Sequence, residues 1–99
     1  MRVLHVDSGR EWRGGQNQVR LLCRELERES GVTQLLVTKR GGELARRAAA
    51  DGVPIQGVPW WLGPDPLATW RVAAAIRAFG PALIHAHDSH ALLVAQWAR

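Results

Sequence analysis

The feature that most constrains the fold of this chain is a regular alternation of short apolar runs with helical segments of about ten residues. The strand-like runs, rich in Val, Leu and Ile, are residues 2–7, 32–38, 53–58 and 82–87. The segments with apolar residues at helical spacing are residues 16–29, 43–51, 66–79 and 89–98. Because a helix separates each strand from the next, the pattern predicts parallel strands with right-handed crossovers, in the order βαβαβαβα.

This order predicts an α/β fold with a partial doubly wound parallel sheet. The usual strand order for such a pattern is 3-2-1-4, in which strands one and four flank the point where the order reverses. Strand four then forms an uncovered sheet edge, and we expect self-association through it. Ligands of open α/β sheets bind beyond the carboxyl ends of the strands at this reversal, so the loops after strands one and four are predicted to form the site.

Several local signals support the element boundaries. Asp65 is predicted to cap the third helix, with Pro66 at its first position, and Gly80 is predicted to end it. Ser89 is predicted to cap the last helix. Cys23 is the only cysteine, so no internal disulfide can form, and its place in an apolar helical stretch predicts a small core residue.

The tryptophans divide into loop and helix positions. Trp60 and Trp61 lie in a loop, where three interpretations stay open: they cover the core, stack on a sugar or contact a partner. Trp70 and Trp97 lie at helical positions and are predicted to be core residues.

Charge and hydropathy exclude several classes of function. The formal net charge is +4 and the isoelectric point is about 11.0, but the positive residues are spread along the chain, with no basic block and no recognised nucleic-acid motif. We therefore expect no nucleic-acid partner. The beginning of the chain runs straight into a strand pattern without a signal peptide, which predicts a cytoplasmic protein.

The loop after strand one contains the first candidate site residues. Gly14 and Gly15 stand at the start of the first helix, where backbone N–H groups and the helix dipole favour an anion. The alternative is that the two glycines simply make the turn. Trp12 is a candidate for ligand contact, and Arg13 either meets a phosphate or acidic acceptor or is solvated. Gln16 completes the candidate set of this loop, which matches neither the dinucleotide fingerprint nor a Walker loop.

The second candidate loop follows strand four. His85 and His87 are two apart, so both side chains point to one face of the sheet. His87 lies at the strand tip, where it binds a sugar hydroxyl or acts as acid or base near pH 7, whereas His85 is predicted to be a packed core histidine. Asp88 orients His87, binds a ligand hydroxyl or favours the helix N-terminus. No metal site is predicted, because no carboxylate or cysteine set completes a convincing ligand spacing with the histidines.

These two loops carry a resemblance to a known family. The strand at residues 1–6, the run at 14–18 and the strand end at 81–88 resemble the amino-terminal domain of retaining glycosyltransferases of family 4, which have the GT-B fold. The similarity runs over essentially all 99 residues in order and spacing. It implies a Rossmann-like half of a two-domain enzyme that transfers a sugar from a nucleotide-sugar donor to a carbohydrate or lipid-linked acceptor.

The resemblance also implies residue roles. The first loop, at Gly14 and Gly15, would approach the donor diphosphate and the acceptor, and His87 would stand beside the transferred sugar as the catalytic residue. Members often have Gly-Gly-x-Glu in this loop, whereas this chain has Asn17 in place of the glutamate. The chemistry implied needs no metal and no cofactor.

The domain expectation is that residues 1–99 are the amino-terminal part of the acceptor-side domain, without the carboxy-terminal donor domain. The chain alone is then expected to be inactive. The full enzyme is expected in the cytoplasm or at the inner face of the membrane, in cell-envelope polysaccharide biosynthesis. The alternative is a non-catalytic Rossmann-like module that binds an anion or a partner chain.

Overall fold

The computed structural model describes residues 1–9, 14–61 and 65–98, and in these ranges strands and helices alternate as the sequence predicts. The strands are β1 (Arg2–Asp7), β2 (Thr33–Lys39), β3 (Ile55–Val58) and β4 (Leu83–Ala86). The helices are α1 (Gly14–Glu27), α2 (Glu43–Ala50), α3 (Pro66–Phe79) and α4 (Ser89–Ala98). Every predicted element is therefore present, and no boundary differs from its predicted position by more than two residues.

The strands form one parallel sheet in the order β3-β2-β1-β4, which confirms the predicted fold class and topology. β1 is hydrogen-bonded on both sides, to β2 and to β4, so the strand order reverses at β1. In the register between β1 and β4, Val3 pairs with Leu83 and His5 pairs with His85. β4 is an edge strand, as expected, because it pairs only with β1 among the described residues.

The two faces of the sheet pack against different helix pairs. The core under α3 and α4 contains Leu4, Val6, Val37, Val58, Trp60, Val72 and Val94. The core on the other face, under α1 and α2, contains Val19, Cys23, Leu36, Leu44, Ala48 and Val53. Because neighbouring residues of a strand point to opposite faces, Leu36 and Val37 of β2 enter different cores. The prediction that Cys23 is a core residue is confirmed.

The ends of α3 follow the sequence signals. The Asp65 carboxylate accepts hydrogen bonds from the backbone N–H groups of Leu67 and Ala68, and Pro66 begins the helix. Gly80 ends it in the left-handed conformation, with φ of 62°. The cap predicted for α4 is wrong: the side chain that accepts from the first turn is Asp88, which bonds the Ala91 N–H at 2.8 Å, because Asp88 rather than Ser89 precedes the first helical residue.

The four tryptophans in the described ranges separate into one core residue and three exposed ones. Trp60 is 1% exposed and covers the core under α3, whereas its neighbour Trp61 is 77% exposed. Trp70 and Trp97 are exposed by 61% and 57%, so the prediction that they are core residues is wrong. The buried face of α3 is formed by Ala68, Val72 and Ala75, and Trp70 stands on the opposite side of the helix. Helical spacing alone did not tell which side faces the sheet.

Crossing a bilayer needs a longer and more apolar helix than any that the described ranges contain.

Candidate functional site

The loops after β1 and β4 meet at the carboxyl end of the sheet. The backbone N–H and the hydroxyl of Ser8 both donate to Asp88 Oδ2, at 2.8 and 3.0 Å. The N–H of His87 donates to the Val6 carbonyl at 2.9 Å, which continues the pairing of the two strands past the end of β4. The structure thus joins the two loops at the point where the strand order reverses.

A glycine at the end of β1 makes this junction possible. Gly9 has φ of +65°, and a Cβ built there would lie 2.6 Å from the hydroxyl oxygen of Thr38 on β2. Only glycine fits both constraints. Gly15 differs, since it is exposed within the first turn of α1 and a Cβ there would meet nothing within 4 Å in the described part of the chain. Gly14 begins the helix, so the pair belongs to the helix N-terminus.

Asp7 anchors α1 to the sheet. Its Oδ1 accepts hydrogen bonds from the Gly9 N–H at 2.8 Å and from Gln16 Nε2 at 3.2 Å. The pKa of Asp7 is raised to about 6, chiefly by burial and also by the neighbouring Asp88 carboxyl, against the lowering effect of the Gly9 and Gln16 donors. The predicted site residue Gln16 therefore lies beside a buried carboxyl that is itself next to Asp88.

Asp88 holds the site together. One oxygen receives both bonds from Ser8, and the other receives the N–H of Ala91 in the first turn of α4. Of the interpretations left open by the sequence, the structure shows the one in which Asp88 stabilises the helix N-terminus, and it adds a link to the loop after β1. The carboxylate is thereby oriented from both sides.

Three histidines line the face of the sheet under this junction. His5, on β1, is fully buried, and its Nδ1 lies 2.9 Å from Nε2 of His87. The two ring centroids are 5.2 Å apart and the planes are inclined by 19°, which together with the short contact describes two rings joined edge to edge. His85 stacks on His87, with centroids 3.9 Å apart and planes inclined by 27°. The prediction that His85 and His87 share one face is confirmed.

The environment keeps His87 neutral. The pKa of His87 is lowered to about 4, chiefly by burial and also by the neighbouring His85 and His5, while Asp88 opposes them. Burial also lowers the pKa of His5, against the raising effect of its hydrogen bond with Gln34. At neutral pH the His87 ring therefore offers one N–H donor and one acceptor nitrogen, which favours hydrogen bonding over acid catalysis.

The three histidines also come close enough to invite a metal interpretation. Nitrogen atoms of His5, His85 and His87 lie within 4.8 Å of one another. Ring nitrogen lone pairs lie in the plane of the ring, so the stacked rings of His85 and His87 direct theirs side by side, not towards a common point. The nitrogen atoms of His5 and His87 already share a hydrogen bond. The geometry is that of a hydrogen-bonded and stacked cluster.

Sequence reasoning missed three residues of this site and misplaced another. His5, Asp7 and Gln34 lie inside apolar strand patterns and carry no motif; their signal was the register that a 3-2-1-4 sheet imposes between β1, β2 and β4. The prediction that His85 is a core residue is wrong, because α1 and α2 pack over β2 and β3 and leave this face of the edge strand open.

Two predicted site residues, Trp12 and Arg13, lie outside the described residues.

Comparison with known proteins gives one family. Residues 13–99 match the family described as a glycosyl transferase 4-like domain. The matched range includes the first turn of α1 and the whole loop after β4. No match is found among curated proteins or among solved structures.

Proposed function

This chain belongs to the glycosyl transferase 4-like family and has a glycosyltransferase-type role, and on that premise we propose that it supplies the acceptor-side part of a retaining enzyme with a GT-B fold. The observation that carries the proposal is the junction of the loops after β1 and β4, joined by Ser8 and Asp88 where the strand order reverses. A crevice at that position is where open α/β sheets bind their ligands.

The proposed roles follow from the chemistry of each loop. The first turn of α1, at Gly14 and Gly15, presents backbone N–H groups and the positive end of the helix dipole, which suits the donor diphosphate. We assign Trp12 and Arg13 to the same ligand. His87, neutral at the tip of β4, contacts a hydroxyl of the transferred sugar or of the acceptor.

Retaining transfer also requires groups that stabilise the departing diphosphate. In this proposal they belong to a second, donor-binding domain that is not among these 99 residues. The donor is a nucleotide-sugar and the acceptor a carbohydrate or a lipid-linked carbohydrate, with no cofactor and with peripheral attachment at the inner membrane face. The chain alone is then inactive, and the complete enzyme acts in cell-envelope polysaccharide biosynthesis.

Two observations test the domain arrangement. We expect the reading frame beyond Arg99 to encode a second Rossmann-like domain with paired glutamates, and the purified 99-residue chain to show no transfer from UDP-linked or GDP-linked hexoses. Sugar transfer by the isolated chain contradicts the need for a donor domain. A frame that ends at Arg99, combined with cooperative unfolding of a stable monomer, favours the non-catalytic binding module instead.

The role of His87 is tested in the enzyme that contains both domains. His87→Ala removes the hydrogen-bond acceptor of the hydroxyl of the transferred sugar or of the acceptor, and should lower kcat/KM by about 10- to 100-fold. His90→Ala, in the first turn of α4, is the matched control and should leave kcat/KM within about a factor of two. Equal activities of the two variants would remove His87 from the site.

A further inference from the structure

A continuous chain of hydrogen bonds leads from α1, through the buried glutamine Gln34 of β2 and through His5, to His87. Gln34, on β2, is 2% exposed, and its amide nitrogen donates to the Cys23 carbonyl at 2.5 Å and to Glu27 Oε2 at 2.7 Å. Both partners are acceptors only, so the amide group has one orientation that satisfies them. Its oxygen, Oε1, therefore faces His5 Nε2, at 3.1 Å.

This orientation decides where the proton of His5 lies. Gln34 Oε1 can only accept, so His5 Nε2 must carry the hydrogen. Burial lowers the pKa of His5 and keeps the ring neutral, so the other nitrogen, Nδ1, has a lone pair and no hydrogen. The opposite tautomer would place two lone pairs against each other inside the sheet and leave both atoms unsatisfied.

The same reasoning passes to His87. Its Nε2 lies 2.9 Å from His5 Nδ1, which accepts, so His87 Nε2 must donate. A neutral imidazole has a single N–H. His87 Nδ1 is therefore the acceptor nitrogen, and the edge-to-edge arrangement of the two rings keeps the donor in line with its partner.

We propose that Gln34 and His5 are positioning residues that hold His87 in the Nε2–H tautomer, so that it presents an acceptor at Nδ1 to a ligand hydroxyl. A lone pair attracts the hydrogen of a hydroxyl and repels a phosphate oxygen. His87 therefore selects the sugar or acceptor hydroxyl, and the donor diphosphate is left to the helix N-terminus. The ligand part rests on the proposed function, whereas the tautomer part rests on the hydrogen bonds between neutral, buried rings.

Nitrogen NMR of the ¹⁵N-labelled chain tests the tautomers directly. At pH 7 we expect both His5 and His87 to show a protonated Nε2 and an unprotonated Nδ1. We also expect a scalar coupling through the hydrogen bond between His87 Nε2 and His5 Nδ1. A His87 ring protonated at Nδ1, a mixture of tautomers or the absence of the coupling would overturn the proposal.

Variants test the direction of control. Gln34→Leu removes the acceptor that orients His5, so the coupling should disappear and His87 should become a tautomer mixture; Gln56→Leu, at an exposed glutamine of β3, is the matched control and should change neither. In His87→Phe, His5 should keep its Nε2–H, because Gln34 still sets it. A His5 ring that becomes mixed in His87→Phe overturns control from Gln34, even where Gln34→Leu does not fold.

Adding zinc distinguishes this hydrogen-bonded chain from a metal site. With one equivalent of zinc ion, the coupling between His5 and His87 should persist. Stoichiometric zinc binding with loss of the coupling would mean that the histidines ligate a cation, which overturns the proposal. The proposed function fails separately: transfer unaffected by His87→Ala, with the coupling still present, contradicts the catalytic role and leaves the tautomer assignment intact.

Discussion

The two strands that carry the histidines, β1 and β4, are paired in parallel register but differ in burial. Leu4 and His5 of β1 are fully buried, since β1 has a strand on each side and helices over the sheet. Leu83 of β4, at the edge, is 46% exposed, and His85, which pairs with His5, is exposed as well. The same residue type thus meets two environments at adjacent positions of one sheet.

The difference separates two tasks within the site. The interior strand supplies two buried polar groups, His5 and Asp7, whose hydrogen bonds reach His87 and Gln16. Burial shifts the pKa of each group towards its neutral form. The edge strand and the loop after it supply His87 and Asp88, which remain partly accessible. In the proposal above, β1 therefore positions the groups of the site, and contact with a ligand is expected from the loop after β4.

The largest effect should come from shortening a leucine in each strand. Leu4→Ala leaves a cavity in the core under α3 and α4 and should lower the free energy of unfolding by about 3–5 kcal/mol. Leu83→Ala, at the exposed edge, should lower it by less than about 1 kcal/mol. Urea unfolding of the two variants at one protein concentration measures both.

Equal losses in the two variants would break the comparison and show that something covers β4 in solution. Self-association through the edge strand, expected from the sequence, would make the loss in Leu83→Ala depend on protein concentration. Repeating the unfolding at tenfold dilution distinguishes the two cases, because the stability of a monomer does not change with concentration.

The next effect concerns the buried carboxyl of β1. The pKa of Asp7 rises from 3.8 in the unfolded chain to about 6 in the fold, so folding takes up a proton between these values. The contribution of Asp7 to stability is then greatest below pH 4 and falls as the pH rises to about 6, by about 2–3 kcal/mol. Asp7→Asn, which keeps an oxygen for the Gly9 N–H, should be more stable than the native chain at pH 7 by a similar amount.

Urea unfolding of the native chain and Asp7→Asn at pH 4 and pH 7 checks this sign. The two proteins should differ little at pH 4 and most at pH 7. Asp51→Asn is a useful contrast, because the hydrogen bond from Arg20 lowers the pKa of Asp51. Removing this carboxylate should therefore lower the free energy of unfolding at neutral pH, whereas removing the Asp7 carboxylate should raise it. If the native chain were as stable as Asp7→Asn at pH 7, burying the charged Asp7 carboxylate would cost no stability, which contradicts the raised pKa.

The fold was predictable because its signals are local. Short apolar runs, the cap at Asp65 and the glycine at position 80 depend on neighbouring residues, and the parallel order follows from the helical crossovers. The convergence of the loops after β1 and β4 was predictable for the same reason, since the strand order fixes which loops meet.

The inner part of the site was not predictable from such signals. His5 and Gln34 meet only because β1 and β2 pair in a particular register, and neither residue differs in sequence from an ordinary polar residue in a strand. His85 was placed too deep because distance from the strand tip was taken as burial, although position across the sheet decides it. Trp70 was misplaced because the helical repeat does not say which side meets the sheet.

The smallest effect we predict separates the two candidate caps of α4. Asp88→Ala removes the acceptor of the Ala91 N–H and of both Ser8 donors, and should lower the free energy of unfolding by about 1–2 kcal/mol. Ser89→Ala, one residue later, should change it by less than about 0.5 kcal/mol. Since Asp88 raises the pKa of Asp7, the Asp88→Ala variant should also lower that pKa, seen as a shift of the Asp7 carboxyl carbon titration to lower pH. An unchanged Asp7 titration would show that the two carboxyl groups titrate independently, and that burial without Asp88 raises the pKa of Asp7.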